Sequence, residues 1–190
     1  MRPVGRLVKP SHVTYLAAMT IRPILIHPDP RLRREAEPVG RVDDEIRKLG
    51  ADMLETMYDA PGIGLAAVQV GVMKRVFVMD CPAKEGERDP LVMVDPEILW
   101  LSEDEAPSEE GCLSIPEIFA DVTRPLEVAL RWTDLENAIR EHRFDARAAT
   151  CVQHEMDHLA GKLFIDYLSP VKRTMITSKM KKLKKEMARA

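Results

Sequence analysis

The run Cys151-Val152-Gln153-His154-Glu155-Met156-Asp157-His158 carries two histidines four positions apart, with a glutamate directly after the first. Its surroundings, Ala146 to Leu159, have good helical composition, so the run reads as one helix and the rest of the chain is organised around it. On a helix each residue advances about 100°, which leaves His154 and His158 about 40° apart on one face. Both imidazoles can then reach one metal ion, and Glu155 stands beside it, placed to take a proton from an activated water. The plainer reading is a surface helix with two solvated histidines. The chain has five histidines in all, and two of them bracketing a glutamate at this spacing favour the metal site.

Outward from that helix the pattern is mixed. Asp43 can cap a helix whose first turn holds Asp44 and Glu45, favourable to the dipole. Ile46, Leu49, Met53 and Met57 recur at helical spacing, so residues 44–58 read as amphipathic, and Pro61-Gly62-Ile63-Gly64 ends them. Arg75 to Asp80 reads as a short strand, Cys81 to Pro90 as a polar loop, and Leu91 to Leu101 as a second extended stretch. Ser102 to Glu109 is acidic and reads as an exposed segment. Val128, Leu130 and Trp132 alternate with polar or small residues, Asp134 to Asn137 turns, and Ile139 to Phe144 returns, which is a hairpin. Gly161 suits the stop of the metal helix, and Ser169-Pro170 starts a last helix reaching about Ala188. No βαβ rhythm and no internal repeat occurs. The expected class is α+β: antiparallel strands around a central metal-binding helix, with one helix before it and one after.

Composition narrows the partners. The chain has 190 residues, a hydrophobic fraction of 45% and a formal net charge of −3, which fits one folded domain and gives no overall bias toward DNA. No apolar run approaches the roughly 20 residues of a membrane helix. Cys81, Cys112 and Cys151 are odd in number and irregularly spaced, which reads as reduced intracellular thiols rather than a disulfide framework. Residues 1–18 carry Arg2, Arg6, Lys9 and His12 without an acidic residue. They read as a dispensable extension to a domain over 19–170, with organellar targeting the lesser reading, because the apolar part is short for a signal sequence.

A hydrolytic metal site needs a third protein ligand and an open position. Cys151, three before His154, shares the helix face, but three ligands on one helix approach the ion from one side. A ligand from another segment closes a tetrahedron better. Cys112, in Glu110-Gly111-Cys112-Leu113-Ser114, is the favoured candidate, with Cys151 and Asp166 behind it. Cys151 then reads as a small buried hydrophobe lining the pocket, and Cys81, before a proline at a strand end, as inert. Gly62-Ile63-Gly64-Leu65-Ala66-Ala67-Val68-Gln69 lacks the ending of a phosphate loop and the third glycine of a dinucleotide fingerprint. It reads either as a tight turn into a packed strand or as a loop that a substrate approaches closely, with Gln69 a neutral donor beside it.

Taken together, Gly62–Gln69, Glu110–Ser114 and Gln153–His158 resemble, in order and spacing, the three motifs of peptide deformylases, G-x-G-L-A-A-x-Q, E-G-C-L-S and Q-H-E-x-D-H. Leu159, Gly161 and the Ile24–Arg33 opening continue the resemblance, which covers about residues 20–170. Departures lie between the motifs: Ile118 and Phe119, where relatives often carry polar or basic residues, and Arg147 and Thr150 on the metal helix.

The resemblance implies a cytoplasmic metal-dependent hydrolase that removes the N-terminal formyl group from nascent polypeptides. It implies Cys112, His154 and His158 as ligands of one divalent ion, Fe²⁺ in cells with Zn²⁺, Ni²⁺ or Co²⁺ able to substitute; ligand chemistry alone would suit zinc. Glu155 is the implied general base, then acid. The Gln69 amide and the Leu113 backbone N–H are the implied stabilisers of the oxyanion, with Gly64 and Ile63 against the peptide. Glu110 and Asp157 are expected as supports, Asp157 with Arg124 as partner. The final helix, residues 171–190, combines an apolar stripe (Ile176, Met180, Leu183, Met187) with Lys172, Arg173, Lys179, Lys181, Lys182, Lys184, Lys185 and Arg189. It reads either as a solvated packed helix or as a docking element for ribosomal RNA. Two rivals come from other classes: an H-E-x-x-H zinc endopeptidase, which would want a downstream ligand such as Asp166 or Glu186, and a non-enzymatic RNA-binding protein with a structural metal.

Overall fold

The computed structural model describes residues 20–82 and 87–189; the reading of residues 1–18 as an extension lies outside them. The element order is α1 (Asp44–Asp59), β1 (Gly64–Ala66), β2 (Val76–Met79), β3 (Leu91–Leu101), β4 (Glu105–Cys112), β5 (Ile115–Pro125), β6 (Glu127–Thr133), β7 (Ile139–Asp145), α2 (Ala146–Leu159) and α3 (Pro170–Met187). All strand pairs are antiparallel: five strands in the order β1-β2-β3-β6-β7, and β4-β5 as a separate pair. The class is α+β, as the pattern predicts. No helix among the described residues is long and apolar enough to cross a membrane.

The five-stranded sheet lies between α1 and α2, and β2 shows why. Its four residues, Val76-Phe77-Val78-Met79, are all buried. Side chains of a strand alternate between faces, and here Val76 and Val78 pack with Ile46, Leu49, Met53 and Met57 of α1. Phe77 and Met79 pack instead with Ala149, Cys151, Val152 and Leu159 of α2. An uninterrupted apolar run is what a strand covered on both faces requires. Helix α2 is therefore held from one side by Phe77, Met93, Leu130 and Phe144, all in the same cluster. Its end comes where Gly161, with φ of +71°, sits so close to Arg33 that a Cβ would meet that residue's carbonyl oxygen at 2.6 Å.

The expected helices are present. Asp43 caps α1 by accepting from Ile46 N–H at 2.9 Å, and Ser169 caps α3 ahead of Pro170. Of the α3 stripe, Ile176, Met180 and Leu183 pack against Leu25, Ile26, Leu32 and Ile115, whereas Met187 is exposed, a correction to the expected stripe. Asp29, which accepts from Arg31 Nε at 3.0 Å and Nη2 at 2.9 Å, also lies 3.6 Å from Lys184 Nζ, tying the N-terminal segment to α3.

The largest departure from expectation is the acidic stretch. Ser102–Glu109 is exposed but not irregular: from Glu105 it is β4, paired with β5 from Glu105↔Pro125 to Gly111↔Phe119. Its apolar content is too low to announce a strand, and long-range pairing supplies what local pattern does not. Beyond Gly111 the ladder jumps to Cys112↔Ile115, so Pro116, Glu117 and Ile118 are looped out on β5 opposite a single peptide step of β4. Leu113 and Ser114 form the hairpin turn.

Candidate metal centre and catalytic cleft

Three segments converge. Helix α2 presents His154, Glu155 and His158; the end of β4 brings Cys112; and the turn after β1, residues 67–70, brings Gln69. The ligand atoms of Cys112, His154 and His158 lie within 4.8 Å of one another. Cys112 Sγ stands 3.2 Å from His158 Nε2. In a tetrahedral site with metal bonds of about 2.0–2.3 Å, ligand atoms are about 3.3–3.8 Å apart, so the trio has the dimensions and the sulfur–nitrogen chemistry of a metal centre. Two ligands come from one helix and the third from another element, leaving one side open.

His154 is set by a partner, whereas the buried Nδ1 of His158 has none among the described residues. Glu110 Oε2 lies 2.8 Å from His154 Nδ1, which leaves that ring's Nε2 as the free nitrogen. Arg124 fixes Glu110 through Nε and Nη2, the latter at 3.0 Å, and donates from Nη1 to Asp157 Oδ2 at 2.8 Å. Tyr167 adds a hydroxyl to Asp157 at 2.9 Å. Burial alone would favour a neutral Glu110, but His154 and Arg124 outweigh it and hold the carboxyl below its ordinary value. Arg124 is in turn held charged, its burial outweighed by Glu110 and Asp157. Burial also opposes charge on His154, yet Cys112 and Glu110 raise its pKa well above normal. Burial and the neighbouring His154 push His158 well down, toward the neutral imidazole that a metal binds.

Gln69 is oriented by its own backbone neighbourhood. The Ala66 N–H donates to Gln69 Oε1 at 2.8 Å, so the amide nitrogen is the atom turned toward the site. Nε2 donates to Ser114 Oγ at 3.2 Å and stands 3.5 Å from Cys112 Sγ. Glu155 is buried, with Oε2 lacking any partner. Burial pushes its carboxyl up to about 7, against the pull of His154. A carboxyl of that kind, facing an open position, can exchange a proton near neutrality.

The open side is a cleft of about 660 Å³ lined by Ile63, Gly64, Gln69, Leu113, Ile118, Phe119, Arg147, Thr150, Cys151 and Glu155, among others. Gly64 is a necessity there: a Cβ would collide with Glu155 Oε1 and lie 2.8 Å from Cys151 Sγ. The favoured residues Ile63, Gly64, Gln69, Leu113 and Glu155 fall on this cleft, and Cys112, His154 and His158 form the ligand trio. The lesser ligand candidates do not join the trio. Asp166 accepts from Arg33 Nη2 at 3.1 Å and lies 3.6 Å from Arg173, and Glu186 lies 3.9 Å from Lys182 on α3. Cys151 turns its thiol to the Ile63 carbonyl at 3.6 Å, a pocket wall as expected. Asp157 does meet Arg124. Glu110, expected as a support, does meet His154; what the pattern of residues did not disclose was which ligand it orients, and the buried Ser114 beneath Gln69.

The comparisons with known proteins agree with this geometry. The family model described as polypeptide deformylase matches residues 21–174. A peptide deformylase of Afipia carboxidovorans is 54% identical over 171 residues, covering 90% of this chain and 100% of that protein. The crystal structure of peptide deformylase from Ehrlichia chaffeensis superposes with a TM-score of 0.85 at 38% identity, over 89% of this chain and 99% of that one. The Ehrlichia enzyme in complex with actinonin gives 0.83 at 41% identity, over 86% and 98%. With three ordered motifs meeting at one cleft and a family match over most of its length, this chain belongs to the polypeptide deformylases.

Proposed function

We propose that Cys112, His154 and His158 hold one divalent ion, ferrous iron in the cell, and that Glu155, Gln69 and Leu113 carry the deformylation built around it. The family activity is hydrolysis of the formyl group from the amino terminus of nascent polypeptides. The observation that carries the assignment of roles is the buried, unpartnered Glu155 Oε2 beside the ligand trio at the cleft floor.

A divalent ion bound there supplies Lewis acidity, lowering the pKa of water toward about 7 and polarising a carbonyl. Glu155 takes the proton of the water that attacks the formyl carbon and then gives a proton to the departing amine. The Gln69 Nε2 donor, already aimed by Ala66, and the Leu113 backbone N–H at the hairpin turn stabilise charge growing on the formyl oxygen. Gly64, which opens the outer strand of the five-stranded sheet, and Ile63 just before it let an extended peptide lie against the backbone. Anaerobically prepared protein releasing formate from a formyl-methionyl peptide, with the release lost in Glu155→Ala at unchanged metal content, is the expected result. Metal-loaded wild type that releases none would refute the assignment. The endopeptidase alternative is not favoured, since its downstream ligand candidates are engaged elsewhere.

Residues 19–170 form the catalytic unit in this proposal, acting in the cytoplasm, and residues 171–190 a docking helix. Lys172, Lys179, Lys181 and Lys185 make no ion pair among the described residues, which suits contact with ribosomal RNA phosphates.

A further inference from the structure

Beside the Ile63–Gly64 wall lie two thiols that the hydrolytic reaction does not use. Cys81, just past the end of β2, and Cys151, on α2, both direct Sγ at the carbonyl oxygen of Ile63, at 4.0 and 3.6 Å. Cys151 is buried and Cys81 is partly open to solvent. The two sulfurs thus gather about one carbonyl oxygen, and their interaction is unequal. It is the main cause that lowers Cys81 below the ordinary thiol range, and the main cause, followed by burial, that raises Cys151 well above it. The positive charge of Arg147 favours the thiolate at both, opposed at Cys81 by Asp80 and Glu155 and outweighed at Cys151 by Glu155. A partly exposed thiol of lowered pKa and a buried thiol of raised pKa, both aimed at one carbonyl, are the arrangement of an attacking and a resolving cysteine.

We propose that Cys81 and Cys151 form a reversible intramolecular disulfide when the protein meets hydrogen peroxide, and that the crosslink deforms the Ile63–Gly64 wall of the cleft. The Cys81 thiolate attacks one peroxide oxygen; an S–O bond forms, the O–O bond breaks and hydroxide leaves. The Cys151 sulfur then attacks the Cys81 sulfenic acid; the S–S bond forms, the S–O bond breaks, and the hydroxyl departs as water with the Cys151 proton. Two electrons pass from the thiols to peroxide. A disulfide brings the sulfurs to about 2.05 Å, well inside thiol contact, and removes both S–H donors from the Ile63 carbonyl. Cys151 cannot shift freely, because its Sγ lies where a Cβ on Gly64 would be only 2.8 Å away. Its displacement is therefore passed to the Gly64 backbone and to Glu155 beside it.

The test uses the full chain loaded with zinc, so that iron redox chemistry plays no part. After peroxide and alkylation of remaining thiols, non-reducing peptide mapping should find a Cys81–Cys151 peptide pair lighter by two hydrogens. Formate release should fall as the pair accumulates, and dithiothreitol should reverse both. Cys81→Ser should keep its basal release, form no pair and lose the reversible inhibition. Adducts at Cys81 without a pair would overturn the proposal, as would a pair formed at unchanged release. Equal inhibition of Cys81→Ser would place the oxidation at Cys112 instead and also overturn it. The mapping readout stands apart from the assignment of catalytic roles, so failure of one is distinguishable from failure of the other.

Discussion

Glu110 and His154, forty-four positions apart in the chain, meet at 2.8 Å, and the carboxylate that orients the ring is itself clamped by Arg124. The distance from sequence to metal chemistry is covered by that contact. A histidine on a helix can rotate its ring; one held at Nδ1 presents a fixed Nε2.

Glu110→Ala should loosen His154 and strand Arg124, which is 5% exposed, without its main partner. Removing an orienting partner of this kind typically costs about 10–100-fold in metal affinity. Breaking a buried ion pair by removing one partner costs up to about 3–5 kcal/mol of stability, less here because Asp157 still holds Arg124. Chelator competition should show the first and urea unfolding of the metal-free protein the second. Unchanged metal affinity would mean that helix packing, not Glu110, fixes the ring.

Glu155→Gln keeps the shape of the side chain and removes its capacity to accept a proton. The expected outcome is a fall in kcat of about 10²–10⁴-fold, with metal content equal to wild type by elemental analysis. A loss of metal in parallel would reassign Glu155 to holding the site.

Gly64→Ala introduces a methyl group at the position occupied by the Glu155 carboxylate and within 2.8 Å of Cys151 Sγ. Displacing a catalytic group by about 1 Å can cost about 10²-fold, so kcat/KM should fall by that order while metal binding holds. Activity near wild type would show that the wall yields without disturbing Glu155.

Asp29 gives the stability a signature in acid. Its hydrogen bonds with Arg31, together with the nearby Lys184, hold its carboxyl down at about 2 against an ordinary 3.8, although burial acts the other way. A carboxyl lowered by folding contributes stability that is full above 3.8 and is lost as pH falls toward 2. Urea midpoints of wild type and Asp29→Asn should therefore differ at neutral pH and converge on acidification through that window. A constant difference across it would remove Asp29 from the account.

If α3 docks on ribosomal RNA, replacing Lys172, Lys179, Lys181 and Lys185 together should weaken ribosome cosedimentation and flatten its salt dependence. Formate release from a short peptide should be untouched, since none of the four lines the cleft. Binding that ignores salt would dismiss the phosphate contacts.

Much of this was legible in the linear chain because it is local. His154, Glu155 and His158 share a face by helix geometry alone, α1 declares itself through Ile46, Leu49, Met53 and Met57, and the β6–β7 hairpin through alternation. Gln69 and Cys112 were legible as motif members but not as neighbours. Their meeting depends on β4, a strand whose exposed side chains carry no periodic apolar signal and whose partner β5 is recognised only by pairing. The thiol pair was invisible for a similar reason: Cys81 and Cys151 stand seventy positions apart, and a common carbonyl, Ile63, brings them together.

The looped-out residues Pro116, Glu117 and Ile118 have a separate meaning for how this cleft can vary. They line the cleft yet sit outside the register that runs from Glu105↔Pro125 to Gly111↔Phe119. Substitutions there alter the rim's size and polarity without changing a single strand pairing, and Cys112, on the opposite strand, keeps its place. The fold thus separates the part of the site that must stay still from the part that is free to drift, so new substrate preferences can be reached without first dismantling the metal centre.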